Sequence, residues 1–201
     1  MKFDVILADP PWTFGDELKA MKASKKRSAR SQYSLMSVSD IQNLEVKKLA
    51  NPSGCVLALW VPSTLLADGM DVMKSWGFSL KQTYVWVKLK KEHEKEAVLD
   101  KKTRIGMGRL FRQVHEIALV GTSGKSVYKM LRDKSQRSVS FDVNVGHSVK
   151  PETLHKKLNT MFPDANKLEL FGRRQVAGWT VVGDGVTGVD IRESIKDLIE
   201  G

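Results

Sequence analysis

An α/β fold with a largely parallel sheet is what this sequence of 201 residues predicts. Three observations lead there. Short apolar runs such as "VILA", "CVLALW", "TYVWV" and "LELF" recur along the chain. Segments with helix-start and helix-stop signals stand between them. No internal repeat or low-complexity stretch interrupts the alternation, which is the pattern of strands linked by helical crossovers.

Phe3 to Ala8 is apolar at nearly every position and predicts a buried strand. "GDELKAMKASKKRSARSQY" follows, polar, basic and without helical period, and predicts a mobile loop over about 15–33. Ser37 with Asp40 three residues on predicts a helix start before "IQNLEVKKLA". Asn51-Pro52-Ser53-Gly54 predicts a turn, and Cys55 to Trp60 a second buried strand. A helix is expected from Ser63 to Trp76, stopping at Gly77. Ser79 to Lys88 predicts the third strand. A charged loop is expected over 89–113, ending in "RIGMGRLFR". Val114 to Val120 predicts another strand, and 121–146 reads as a third polar loop. Pro151 is placed to open a helix reaching about Phe162. Lys167 to Phe171 and Trp179 to Val182 predict the last strands. Asp190 to Glu200 predicts a terminal helix with Ile191, Ile195, Leu198 and Ile199 on one face. The whole reads as a single domain.

Composition narrows the function classes. The chain is 41% hydrophobic and 28% charged, the balance of an ordinary soluble domain. No apolar run reaches membrane-spanning length, and acid and proline cut short any secretory pattern at the N-terminus. One cysteine, Cys55, excludes an intrachain disulfide and a Cys-based zinc cluster, so a cytoplasmic setting is expected. A net charge of +10 suits a polyanionic partner; solubility alone is the bland alternative, and the placement of the lysines and arginines tilts the balance.

The chemical signal lies where the first strand ends, in Asp9-Pro10-Pro11-Trp12. A strand feeding a core has no use for an acid followed by a rigid kink. An exocyclic nucleobase amine is a poor nucleophile because its lone pair is delocalised into the ring. Two acceptors on its N–H bonds favour a pyramidal nitrogen. Asp9 offers a carboxylate and Pro10 a backbone carbonyl that the prolines aim in advance. Trp12 offers a flat face for an extruded base, or plain core packing. Ligands of such sheets sit beyond the carboxyl ends of the strands, where this motif, the basic loops and "FGRR" would converge. His93, His115, His147 and His155 show no metal-ligand spacing, so no metal is expected.

These residues resemble the DPPW adenine-N6 methyltransferases of the MT-A seventy type, which include the writer of N6-methyladenine in messenger RNA. The resemblance covers most of the chain through "ADPPW", "YSLMSVSDI", "LALW", "WGF", "VWVK", "HEIALVG", "HSVKPE", "LELFGRR" and "GWTVVGD", in that order. It has the permuted, β-type arrangement, with the catalytic motif first. It implies a Rossmann-like S-adenosylmethionine-dependent methyltransferase sheet with helices on both faces.

The resemblance also implies roles. Asp9 and Pro10 accept from the target amine, with Pro11 and Trp12 completing the motif, and Asp9 touches the cofactor's amino end. Lys150 reaches the cofactor carboxylate and Glu169 its ribose hydroxyls. Phe171, Gly172 and Arg173 line the adenosine side. Arg174-Gln175 and Asp184-Gly185 depart from the messenger-RNA writer at cofactor positions. Tyr33, Trp60, Trp86, Lys88 and Glu116 match the substrate pocket, although Trp60 and Trp86 fit plain core nearly as well. Glu116 and Glu169 are acids within apolar strands and need partners if buried. Lys25, Lys26, Arg27 and Arg30 in the first loop, and Arg104 and Arg109 in the second, suit a phosphate backbone flanking a flipped base. The alternative for them is a solvated surface.

The expected activity is methyl transfer from S-adenosylmethionine to adenine N6 in nucleic acid. DNA is favoured over RNA, because the compact core resembles small bacterial or phage members. The competing class is a non-catalytic nucleic-acid-binding subunit. Such members lose the DPPW residues, which this chain keeps. A homodimer fits the family habit.

Overall fold

The apolar runs pair into one sheet. The computed structural model describes residues 1–13, 35–90, 111–146 and 149–201. Among them the strands are β1 (Val5–Ala8), β2 (Gly54–Val61), β3 (Ser79–Leu89), β4 (His115–Gly124), β5 (Val139–Val143), β6 (Lys167–Leu170) and β7 (Thr180–Val182). Their order across the sheet is β5-β3-β4-β2-β1-β6-β7. β4 runs antiparallel to β2 and β3, and the other pairings are parallel.

The helices are α1 (Val38–Gln42), α2 (Leu66–Ser75), α3 (Val127–Met130), α4 (Thr153–Met161), α5 (Asp184–Thr187) and α6 (Ile191–Glu200). Strand alternation divides the core in two. Ile6, Ala8, Leu57 and Leu59 pack with Ile41 of α1, Val72 and Met73 of α2, and Ile191 and Ile195 of α6. Val5, Leu7, Val56, Ala58 and Trp60 pack on the other face with Val127 of α3 and with Leu154 and Leu158 of α4. Among the described residues no helix is long and apolar enough to cross a membrane.

Most expected elements appear within a residue or two. Ser37 caps α1 by accepting from the Asp40 N–H, as its spacing predicts. The helix nevertheless stops at Gln42, and the chain resumes as a 3₁₀ turn at Val46–Lys48. α2 is preceded by a 3₁₀ turn at Ser63–Leu65, and Gly77 leaves it at φ 83°. α4 begins at Thr153, two residues past Pro151.

The clearest departure is 121–146, expected as a loop. It contains the last turns of β4's pairing, helix α3 and the edge strand β5. An edge strand with one face in solvent needs little apolar sequence, and "VSFDV" is fixed by its parallel pairing with β3. The expected loops over 15–33 and 89–113 lie almost wholly outside the described residues.

Candidate active site

The period of two along each strand decides which side chains meet. Asp9 follows β1 on the same face as Leu7, and Leu7 is in register with Glu169 of β6 and Ala58 of β2. Trp60, two residues beyond Ala58, is in register with Ala118 of β4. Glu116, two residues before Ala118, is in register with Trp86 of β3, and Lys88 lies two further on. Asp9, Glu169, Trp60, Glu116, Trp86 and Lys88 therefore share the face covered by α3 and α4. They also share its carboxyl end, because β4 is reversed and its beginning arrives where the parallel strands finish.

Lys150, just ahead of α4, joins this row. Its Nζ lies 3.0 Å from Asp9 Oδ1 and 3.1 Å from Glu116 Oε2. Lys88 pairs with the other oxygen of Glu116. Two acids and two bases thus form a chain, Asp9–Lys150–Glu116–Lys88. The aromatic floor supports both cations, with Lys150 Nζ 5.5 Å from the Trp60 ring centre and Lys88 Nζ 5.3 Å from that of Trp86. Burial disfavours the charged form of both central groups. For Glu116 the charges and hydrogen bonds of Lys150 and Lys88 outweigh it and hold the carboxyl below its usual range. For Lys150 the charges and hydrogen bonds of Asp9 and Glu116 outweigh it and raise the ammonium above its usual range.

Glu169 has a separate partner, which the sequence did not reveal. His155 Nε2 lies 2.9 Å from Glu169 Oε2, and the ring packs edge-on to Trp179 at 5.1 Å. The only sequence signal is that His155 falls on the buried face of α4, beside Leu154 and Leu158. The pairing engages Oε2 and not Oε1.

The DPPW turn is held from several sides. The Trp12 N–H donates to the Pro10 carbonyl at 2.9 Å, closing a tight turn about Pro11, and the Met36 N–H donates to the Pro11 carbonyl at 3.0 Å. One lone pair of the Pro10 oxygen is therefore used locally, and the other remains.

Trp12 departs from the expected stacking role. It is 7% exposed, joins the core on the α1/α2 face, and donates its indole N–H to the Trp60 carbonyl at 2.9 Å. Its ring is occupied by packing, so it offers no free face to a base. Trp86, 1% exposed with its N–H on the Asp142 carbonyl, is likewise core. Trp60 is buried too, but it lines a cavity and carries Lys150.

Two cavities of about 180 Å³ each meet at Asp9. One is lined by Trp60, Lys150, His155, Glu169 and Arg174. The other is lined by Pro11, Met36, Gly172, Asp184, Ile191 and Arg192. Asp9, Phe171 and Arg173 border both. Phe171 has φ 64°, an uncommon conformation for a residue with a side chain, at the turn where the two cavities adjoin. Gly172 has a packing reason besides any ligand, since a Cβ there would stand 2.1 Å from Val181 Cγ1. Tyr33, Lys25, Lys26, Arg27, Arg30, Arg104 and Arg109 lie outside the described residues. Among the described residues no cluster of three or more His, Cys, Asp or Glu is placed to hold a metal ion.

Fold and site together define a Rossmann-like α/β protein whose polar site stands at the carboxyl edge of its sheet. The chain belongs to the MT-A70 family, whose model matches residues 3–185. It is 28% identical over 194 residues to the type II methyltransferase M.MunI of Mycoplasma sp, covering 89% of this chain and 75% of that protein. To the N(6)-adenine-specific methyltransferase METTL4 of Homo sapiens it is 31% identical over 190 residues, covering 92% of this chain and 37% of that protein. To the N(6)-adenosine-methyltransferase MT-A70-like protein of Arabidopsis thaliana it is 28% identical over 194 residues, covering 93% of this chain and 24% of that protein. The chain thus spans most of the first and only a minor part of the other two.

Proposed function

We propose that this protein transfers a methyl group from S-adenosylmethionine to N6 of adenine in nucleic acid, with DNA as its target, in a cytoplasmic setting. The observation that carries the reading is Asp9, which stands on the border of two adjoining cavities with Phe171 and Arg173. A transferase needs that arrangement, one site for the donor and one for the acceptor with an acceptor group between them.

The side chains in the Trp60–Glu169 cavity fit the cofactor. Lys150 supplies a cation for its carboxylate, the remaining Glu169 oxygen an acceptor for ribose hydroxyls, and Phe171 an apolar ring. When bound, S-adenosylmethionine supplies an electrophilic methyl group on a positively charged sulfur. The protein's part is to present the amine. Asp9 Oδ1 is held by Lys150, which leaves Oδ2 to accept one N–H. The free lone pair of the Pro10 carbonyl accepts the other. Asp9 then takes the proton that the amine loses. Trp60 forms the floor beneath Lys150, and Trp12 fixes the turn instead of stacking on the base.

Nucleic acid is supported by the net charge of +10. DNA is supported by the likeness to the type II methyltransferase and to the adenine-specific relative, which at 31% has the highest identity of the relatives compared. Retention of Asp9, Pro10, Lys150 and Glu169 supports an enzyme over a non-catalytic subunit. The test is incubation with labelled S-adenosylmethionine and defined DNA and RNA oligonucleotides, single- and double-stranded, followed by digestion. N6-methyladenine in DNA is expected. Transfer to RNA alone would move the substrate, and cofactor binding without transfer to either would sink the reading.

A further inference from the structure

We propose that the α3/α4-covered face holds a second ligand site at its other end, and that this site binds an amphipathic anion, an apolar body with one negatively charged head. A cavity of about 460 Å³ lies there, within the size range of small-molecule sites and larger than either cavity beside Asp9. Its walls are aliphatic and aromatic, from Val56 and Val120 of the sheet, Leu131 after α3, and Leu154, Leu158 and Phe162 of the α4 region. Its rim carries Lys81, Lys134, Arg137 and Lys157, and among the described residues no aspartate or glutamate lines it. Lys81, Lys134 and Arg137 are exposed.

That combination selects the ligand. An apolar interior rewards removal of hydrocarbon from water, and the four rim cations reject a cationic head. A phosphodiester chain needs an open track of cations with bases to stack. Here the cations stand about a recess walled by Val, Leu and Phe162, with Tyr128 the one largely exposed aromatic ring among its described lining residues. One rim contact also closes the side of the recess, because Lys157 Nζ donates to the Arg137 carbonyl at 2.9 Å and ties α4 to the segment before β5.

At the inner end Tyr84 lines the cavity and is 3% exposed, and its buried hydroxyl stands near Ser140 and the Asp142 carboxylate. Burial pushes this phenol up to about 12, so it keeps its proton and stays a donor at neutral pH. None of these residues belongs to the site around Asp9, so the inference stands whether or not methyl transfer is found.

Anilinonaphthalene sulfonate, an apolar fluorescent anion, is titrated into the folded protein and displaced with decanoate or decyltrimethylammonium. Saturable binding at one site is expected, displaced by decanoate and not by the cation of equal chain length. The exposed double change Lys134→Glu with Arg137→Glu should weaken decanoate by roughly tenfold or more. Leu131→Trp, at a half-buried wall position, should remove the site while circular dichroism stays unchanged. Equal displacement by the two amphipaths would overturn the proposal, as would indifference to both variants. Stoichiometric displacement by a short single-stranded oligonucleotide would also overturn it, by assigning the rim to nucleic acid.

Discussion

The two ends of one sheet face are built on opposite principles. At the carboxyl end Asp9, Lys150, Glu116 and Lys88 neutralise one another over a tryptophan floor. At the other end, apolar walls stand under a rim of cations that no acid lining it among the described residues balances. Trp60 and Tyr84, edge-to-face at 6.0 Å, separate the two. The difference teaches where selectivity resides. The carboxyl end is paired before any ligand arrives, so a ligand there must exchange for an existing ion pair. The other end offers apolar walls and cations that no acid lining it among the described residues balances, so a ligand there competes with water alone.

The largest effect should come from breaking the paired end at its reacting group. Asp9→Asn keeps the shape of the side chain and removes the charge that accepts the proton. Methyl incorporation is expected to fall by about 100-fold or more while the thermal transition survives. Unchanged incorporation would remove Asp9 from the chemistry.

Glu116→Gln tests the pairing itself, because it takes the carboxylate from Lys88 and leaves Lys150 with Asp9 alone. A loss of about 2 kcal/mol in urea unfolding is expected. A value near zero would make the chain of charges a solvated surface feature.

The same end should carry its own pH signature. The Glu116 carboxyl is depressed in the folded state, so its contribution is present above the usual carboxylate value of about 4.3 and disappears as pH falls through the lowered one. Lys150 is raised, so its contribution is present below the usual lysine value of about 10.4 and disappears as pH climbs through the raised one. Wild type should therefore lose more stability than Glu116→Gln on acidification. Parallel acid limbs for the two proteins would contradict the assignment.

Tyr84→Phe is the smallest expected change. Its hydroxyl is buried beside Ser140 at a geometry short of a good hydrogen bond, so its removal should alter stability by less than about 1 kcal/mol. A large loss would reveal a partner for the phenol and weaken the contrast between the two ends.

What could be read in advance follows from how local each signal is. β1, β2 and α2 were legible because their apolar runs and caps are contiguous in sequence. Asp9-Pro10-Pro11 was legible because an acid and two prolines at a strand end have few structural uses. The edge strand β5 was not, since its pairing with β3 supplies what its composition lacks. Glu116 and Glu169 could be seen to need partners, but not which ones. Lys150 reaches both Asp9 and Glu116 only because β4 reverses, and His155 reaches Glu169 only once α4 packs on the sheet. Trp12 looked like a platform because a tryptophan's face and its N–H are equally visible in a sequence. The Trp60 carbonyl that claims the N–H lies 48 positions away.

The reversal of β4 has a consequence for how such a protein can diversify. β3 leaves the sheet at Leu89 and β4 re-enters at His115, and both points sit at the carboxyl edge beside Lys88 and Glu116. The connection between them therefore starts and finishes at the mouth of the site. A change of length between those two points would leave the pairing of β3 with β4 as it is, and would be felt first at the Lys88–Glu116 pair.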